Sequence, residues 1–487
     1  MSKEIRELQP RAVWNKFADL NSVPRPSKKE DRIIKFMVEF GNALGLETIT
    51  DPVGNVIIRK PATEGMEDRL MVTLQSHLDM VHQKNKETAF NFDTDGIQMT
   101  VEGDWVTAKG TTLGADNGLG VAAIMALLES VDIPHPPLEA LFTIDEEAGM
   151  TGAKELKPGV LKGKILLNLD TEEDDEIDIG CAGGIDVTAS RSYSEENFPN
   201  NCIAFQIKIK GLQGGHSGMD IHRGLGNANK IMNRLLYRAH TNYNIRITEI
   251  DGGGLRNAIP RESTATIAVN KGKKKAFVQD LKNWSETAMM ELSITEPQLN
   301  IELETIEPPK TVMETVAQGK ILSAIYAAHN GVYSMSTAIS DLVETSNNIA
   351  KVNVKAGQIK ISCLTRSSVD SAKMDLATSL KAAFELAGCE VVFDGHYPGW
   401  NPNPDSSILK VLTAKYRSLF GEMPKVVACH AGLECGILGK NYPEMDMVSF
   451  GPTIKGAHSP DERAQIASVQ KFWRFLLEIL KDIPREI

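Results

Sequence analysis

The chain has 487 residues, of which 42 % are hydrophobic and 24 % charged, an ordinary globular composition that excludes disorder over most of its length. The net charge is −11 and the largest basic cluster spans only residues 271–275, which argues against a nucleic-acid partner. No apolar run approaches the roughly 20 residues of a membrane helix, no apolar signal region opens the chain, and six cysteines without a CxxC pair fit a reducing, cytoplasmic setting.

In chain order, Ser27-Lys28-Lys29-Glu30 reads as a capping box for a helix carrying Ile33, Met37, Phe40 and Leu44. Residues 53–60 and 70–75 read as strands, 117–130 as a small-residue helix, and 138–144 and 165–169 as short buried strands. This rhythm predicts an α/β sheet flanked by helices. The texture changes near residue 190. A polar stretch over 194–201 precedes an alternating strand with Ile203, Phe205, Ile207 and Ile209. Further alternating segments are separated by helical stretches over 225–240 and 371–386. A second polar, proline-rich stretch covers 397–404. Beyond it the chain ends in an amphipathic helix through Ile466, Val469, Trp473, Leu476 and Leu480. The predicted organisation is a first domain made of residues 1–190 and 400–487, interrupted by an inserted α+β domain over 191–399.

Five places put acids and histidines at the ends of strand-like runs or at the mouth of a helix. These are His77-Leu78-Asp79, Gly114-Ala115-Asp116-Asn117-Gly118, Asp145-Glu146-Glu147, Asp170-Thr171-Glu172-Glu173 and Gly456-Ala457-His458-Ser459-Pro460. Each has an ordinary reading by itself. A His-x-Asp triplet occurs in surface loops, Asp145-Glu146-Glu147 could be a solvated turn, and the acidic tract from residue 170 to 176 could face solvent. Their joint placement is more informative, because ligands of open α/β sheets gather beyond the carboxyl ends of the strands. Two imidazoles and three carboxylates form a donor set suited to zinc, manganese or cobalt. A further carboxylate beside a ligand offers a base. Glu146 and Glu147 on an extended segment would point apart and could divide these tasks. HExxH, P-loop, GxSxG and EF-hand patterns are absent from the sequence. A nicotinamide-dehydrogenase reading lacks its glycine fingerprint.

The segments SHLDMV, TLGADNGLG, FTIDEEAGMTG, LNLDTEE, GLQGGHSG and GAHSPDE occur in that order. Together they resemble the co-catalytic dizinc peptidases related to aminoacylase and carnosinase. Longer stretches, such as GGHSGMDIHRGLGNANK, GGGLRNAIPRE and HAGLECGIL, are similar to the bacterial aminoacyl-histidine dipeptidase branch. The resemblance implies a catalytic domain with an inserted lid, which is also the dimerisation domain of a homodimer. It implies two zinc ions per subunit, with cobalt or manganese as substitutes. Asp116 would bridge them, His77 and Asp170 would complete one site, and Glu147 and His458 the other. Asp79 would orient His77, and Glu146 would be the general base acting on a two-zinc-activated water. His216, Asn257 and Arg366 would contact substrate: His216 at the carbonyl oxygen, in its own chain or across the dimer, and Arg366 at the terminal carboxylate. From the residues alone, His216 reads as a loop histidine in a glycine turn, and Arg366 equally as a surface salt bridge. The implied reaction is hydrolysis of unblocked dipeptides, including Xaa-His and β-alanyl-histidine. The alternative is a related amidohydrolase acting on N-acyl amino acids. The physiological metal, the exact dipeptide preference and the roles of Glu434 and His430 stay open at this stage.

Overall fold

The computed structural model describes residues 3–486, which divide into two compact units. The first comprises residues up to 180 together with 402–428 and 433–486, and the second comprises 181–401 with 429–432. The chain therefore leaves the first unit at the end of strand Glu176–Cys181, ahead of the polar stretch at 194–201. Within that stretch Glu195–Asn197 is itself a short strand, paired with Thr311–Met313 inside the second unit.

The first unit is built on an eight-stranded mixed sheet. Its order is Glu47–Thr50, Val56–Lys60, Leu138–Thr143, Val72–His77, Ile165–Asn168, Asp446–Ser449, Glu176–Cys181 and Lys425–Cys429. The central strands Leu138–Thr143, Val72–His77, Ile165–Asn168 and Asp446–Ser449 run parallel. The first three are buried at every residue, as strands covered on both faces must be. The register pairs His77 with Thr143, and Gln75 with Asn168, so these strands end together along one edge. The helix Ala115–Glu129 is apolar nearly all round and packs on Val72–His77 and on helix Arg11–Leu20. A smaller four-stranded sheet joins Ile454–Lys455, Arg463–Gln465, Trp105–Ala108 and Met99–Glu102, and its first hairpin carries His458.

The second unit is an antiparallel sheet with helices Ala228–Tyr243, Lys274–Glu291, Thr315–Ala327 and Asp370–Leu386. Its core joins strand residues Phe205, Ile207, Ile267 and Ile361 to helix residues Leu235, Ile321 and Leu380.

Two local expectations fail. Helix Asp31–Ala43 forms, but no side chain caps its start, and the Ser27 hydroxyl donates instead to Asp79 Oδ2 at 2.7 Å. Glu146 and Glu147 lie not on an extended segment but in the short helix Glu146–Gly149, entered through Asp145 at φ 55°.

Candidate metal centre

The acid and histidine clusters lie where strands end, where a helix begins, or in a hairpin between two strands. His77 is the last residue of its strand, and Asp170 lies two residues past the end of Ile165–Asn168. Asp116 enters helix Ala115–Glu129 in a non-helical conformation, after Gly114 at φ 70°. A side chain at Gly114 would collide with the Arg25 guanidinium and Met80, so this turn requires glycine.

The two oxygens of Asp116 face different partners. Oδ1 lies 3.1 Å from His77 Nε2, which is also 3.5 Å from Asp170 Oδ1. Oδ2 lies 3.1 Å from His458 Nε2, which is also 3.0 Å from Glu147 Oε2. The donor atoms of His77, Asp116 and Asp170 fall within 4.8 Å of one another, as do those of Asp116, Glu147 and His458. The structure thus brings together all five residues predicted as ligands, in two groups that share Asp116. A second oxygen of Glu147, Oε1, is buried without a hydrogen-bond partner. A shared carboxylate flanked by two His-carboxylate sets is a donor arrangement that fits two divalent cations of borderline hardness.

The electrostatics reflect this crowding. Hydrogen bonds donated to Asp116 and Glu147 push the His458 imidazole up to about 11. Burial opposes charge on His77, but Asp170 and Asp116 outweigh it and raise its pKa well above the ordinary value. Burial raises Glu146, Glu147 and Asp170, and carries Glu172 up to about 8.

The surrounding shell holds these groups through the backbone. Asp79 is fully buried; its Oδ1 accepts the Glu146 N–H at 2.9 Å and its Oδ2 the Glu147 N–H at 3.3 Å. His77 Nδ1 is 3.2 Å from the Asp79 backbone carbonyl and 3.5 Å from its Oδ1, so the main chain is the nearer acceptor. Asp79 therefore orients the Glu146-Glu147 turn at least as directly as it orients His77. Arg25, also buried, donates to the carbonyls of Leu78, Asp79 and Gly114. Glu462 accepts the backbone N–H groups of Leu113, Gly114, Ala115 and Asp116. Sequence reasoning missed both residues in this role. Glu462 lies within GAHSPDE, so that motif offered a signal; Arg25 stands between two prolines and carried none.

The sequence profile of peptidase family M20/M25/M40 matches residues 73–482. The chain belongs to this family. It is therefore a hydrolase of the metallopeptidase class. It is 43 % identical over 481 residues to the cytosol non-specific dipeptidase of Escherichia coli K12, covering 99 % of each chain. It is similar to the crystal structure of aminoacylhistidine dipeptidase from Vibrio alginolyticus, with a TM-score of 0.93 and 43 % identity, covering 100 % of this chain and 99 % of that one. The aminopeptidase PepT of Bacillus cereus shares the fold at 16 % identity, with a TM-score of 0.58 over 98 % and 99 % of the two chains. Among the described residues of this M20 peptidase, no helix is long and apolar enough to cross a membrane.

The second unit of this family member carries the predicted substrate contacts. His216 Nδ1 accepts the N–H groups of Gly218 and Met219 at 3.3 and 3.0 Å, which leaves the ring proton on Nε2. Burial and Arg366 lower its pKa to about 4, so it is a neutral donor. Arg366 Nη2 approaches His216 Nε2 at 3.4 Å, and Nη1 donates to the Tyr397 hydroxyl at 2.7 Å. Arg366 is only 4 % exposed and its Nε has no partner, so the surface-salt-bridge reading fails. Asn257 is exposed, and its backbone carbonyl accepts the Ser217 N–H at 2.8 Å. His430 is buried, with Nε2 2.8 Å from Ser346 Oγ.

Proposed function

We propose that this M20 peptidase is a cytoplasmic, metal-dependent dipeptidase that hydrolyses unblocked dipeptides, including Xaa-His and β-alanyl-histidine. The observation that carries the reading is Asp116, whose two oxygens serve two separate His-carboxylate sets. The relatives named as dipeptidases support the substrate class.

In this reading His77, Asp116 and Asp170 hold one zinc ion, and Asp116, Glu147 and His458 a second, with cobalt or manganese as substitutes. When bound, such ions supply Lewis-acid polarisation of a peptide carbonyl. Glu146 belongs to neither ligand group. Its backbone is tied to Asp79, and burial raises its affinity for a proton, as a base that must accept one requires. It takes a proton from the attacking water and returns it to the nitrogen of the breaking amide bond. His216 Nε2–H donates to the carbonyl oxygen as negative charge develops there. Arg366 holds the terminal carboxylate with its planar fork, and Asn257 adds a polar contact. The inserted unit forms the interface of a homodimer, and His216 acts within its own chain or toward the partner subunit.

Metal analysis of the purified protein, followed by assays on free dipeptides and on N-acyl amino acids, tests this reading. Two metals per chain and turnover of free dipeptides are expected. Turnover of N-acyl amino acids alone would replace it with the amidohydrolase alternative.

A further inference from the structure

Beneath the candidate ligands lies a buried row of polar side chains that the proposed mechanism does not use. Gln75 precedes His77 by two residues on one strand, and Asn168 precedes Asp170 by two at the end of the next. Alternation puts Gln75 on the same side of the sheet as His77, and the contact with Gln75 places the Asn168 side chain there too. Glu434 Oε2 is 2.6 Å from Gln75 Nε2, and Gln75 Oε1 is 2.5 Å from Asn168 Nδ2. Asn168 Oδ1 is 2.5 Å from Ser449 Oγ, Ser449 Oγ is 2.8 Å from Thr171 Oγ1, and Thr171 Oγ1 is 2.7 Å from Asp178 Oδ2. All six residues are buried, and a carboxyl group closes each end.

Hydrogens can be counted along this row. Each contact is too short to lack a hydrogen. An amide offers hydrogens on its nitrogen side only, and a hydroxyl offers one. Gln75, Asn168, Ser449 and Thr171 therefore fill every contact but one, whichever way the amides face. The missing hydrogen must come from a terminal carboxyl. Thr143 decides which end. Its hydroxyl lies 2.6 Å from Glu434 Oε2 and 3.2 Å from the Gln75 amide. With Gln75 Nε2 facing this corner, its two hydrogens and that of Thr143 fill all three contacts of the triangle at Glu434 Oε2, while Glu434 Oε1 is buried without a partner. With Gln75 Oε1 there instead, one contact in the triangle is left without a hydrogen. The nitrogen faces Glu434, the row then runs in one direction, and the last contact, at Asp178, is the one in need.

We propose that Asp178 is a positioning residue that carries a proton at neutral pH and donates it to Thr171, completing a one-way hydrogen-bond row that ends on an ionised Glu434 and fixes the strand ends bearing His77 and Asp170. Burial pushes Asp178 up to about 7, and the neighbouring carboxylates of Glu176 and Asp170 push the same way, against the Thr171 hydroxyl. Burial also takes Glu434 to about 7. Thr143 and the nearby His77 favour its charge, while Asp170 and Asp79 oppose it. Burial thus treats the two ends alike, and the hydrogen count separates them.

Infrared spectra of the metal-loaded enzyme at neutral pH, each variant subtracted from the parent, test the assignment, because only a band that a variant removes belongs to its carboxyl. A protonated-carboxyl band is expected that disappears in Asp178→Asn and persists in Glu434→Gln. A band lost only in Glu434→Gln, or no band sensitive to either variant, would overturn it. Zinc affinity gives an independent reading. Asn supplies the required N–H donor, so Asp178→Asn should bind zinc as the parent does, while Asp178→Ala should bind it about tenfold more weakly or worse. Equal loss in both would mean that the carboxylate charge is what matters, and would reject a protonated Asp178.

Discussion

Glu462 accepts the backbone N–H of Asp116 at 3.2 Å, and its two oxygens also take the three preceding N–H groups at 2.7–2.9 Å. The turn that presents Asp116 is thus wrapped around a buried carboxylate. Arg25 donates to the Gly114 carbonyl of the same turn at 2.5 Å. Because Glu462 follows His458 by four residues, the same contact ties the His458 hairpin to the Asp116 turn.

Glu462→Gln tests that tie. The amide turns an NH2 group toward backbone N–H donors and loses the anion. Zinc affinity should fall by about 10–100-fold while the fold is kept, measured by chelator competition alongside circular dichroism. Parent-like affinity would separate the turn from metal binding.

Glu146→Gln keeps size and hydrogen bonding but cannot take up a proton. It should retain metal and lose turnover by at least about 10²-fold. Near-normal activity in a metal-loaded variant would remove Glu146 from the mechanism.

Asp116→Ala takes away the carboxylate shared by both donor sets. Asp79→Ala takes away a support for the Glu146 and Glu147 backbone and for His77. Metal content should fall much further in the first than in the second, by elemental analysis. Equal contents would contradict the division between ligand and support.

His216→Ala removes a neutral Nε2–H donor. One lost donor to a developing oxyanion typically costs about 10²–10³ in turnover, so that loss is expected with metal content unchanged. If His216 acts toward the partner subunit, mixed dimers of His216→Ala and Glu146→Gln should recover part of the activity. Absence of recovery in verified mixed dimers would confine it to its own chain or place it outside catalysis.

Burial, with Arg366 and the two neighbouring imidazoles of His216 and His222, lowers His430 to about 3. The unfolded chain takes up this proton below about pH 6.5 and the folded chain does not until far lower, so stability falls as pH drops through that interval. Between neutrality and about pH 5 the loss amounts to about 2 kcal/mol. His430→Gln should reduce the difference in denaturant midpoint between those two pH values. An unchanged difference would exclude His430 as its source.

The positions of the five candidate ligands were legible because each lies where an apolar run stops or a small-residue helix begins, and those boundaries are local. The helix ending at Glu129 and the buried parallel strands follow from the same short-range patterns. What the side chains do there was not local. Ser27 satisfies every requirement of a capping box, yet its hydroxyl is spent on Asp79, which only sheet packing brings within reach. Asp145 enters the Glu146–Gly149 turn left-handed, and Asp79 closes that turn from another strand end, so an alternating extended reading fails. Glu434 meets Gln75 across 359 positions of sequence, and Glu462 meets Leu113 across 349. Such partners carry no short-range signal. They are chosen by strand order and by the rule that a buried polar atom must find a partner, and both are decided only when the sheet is assembled.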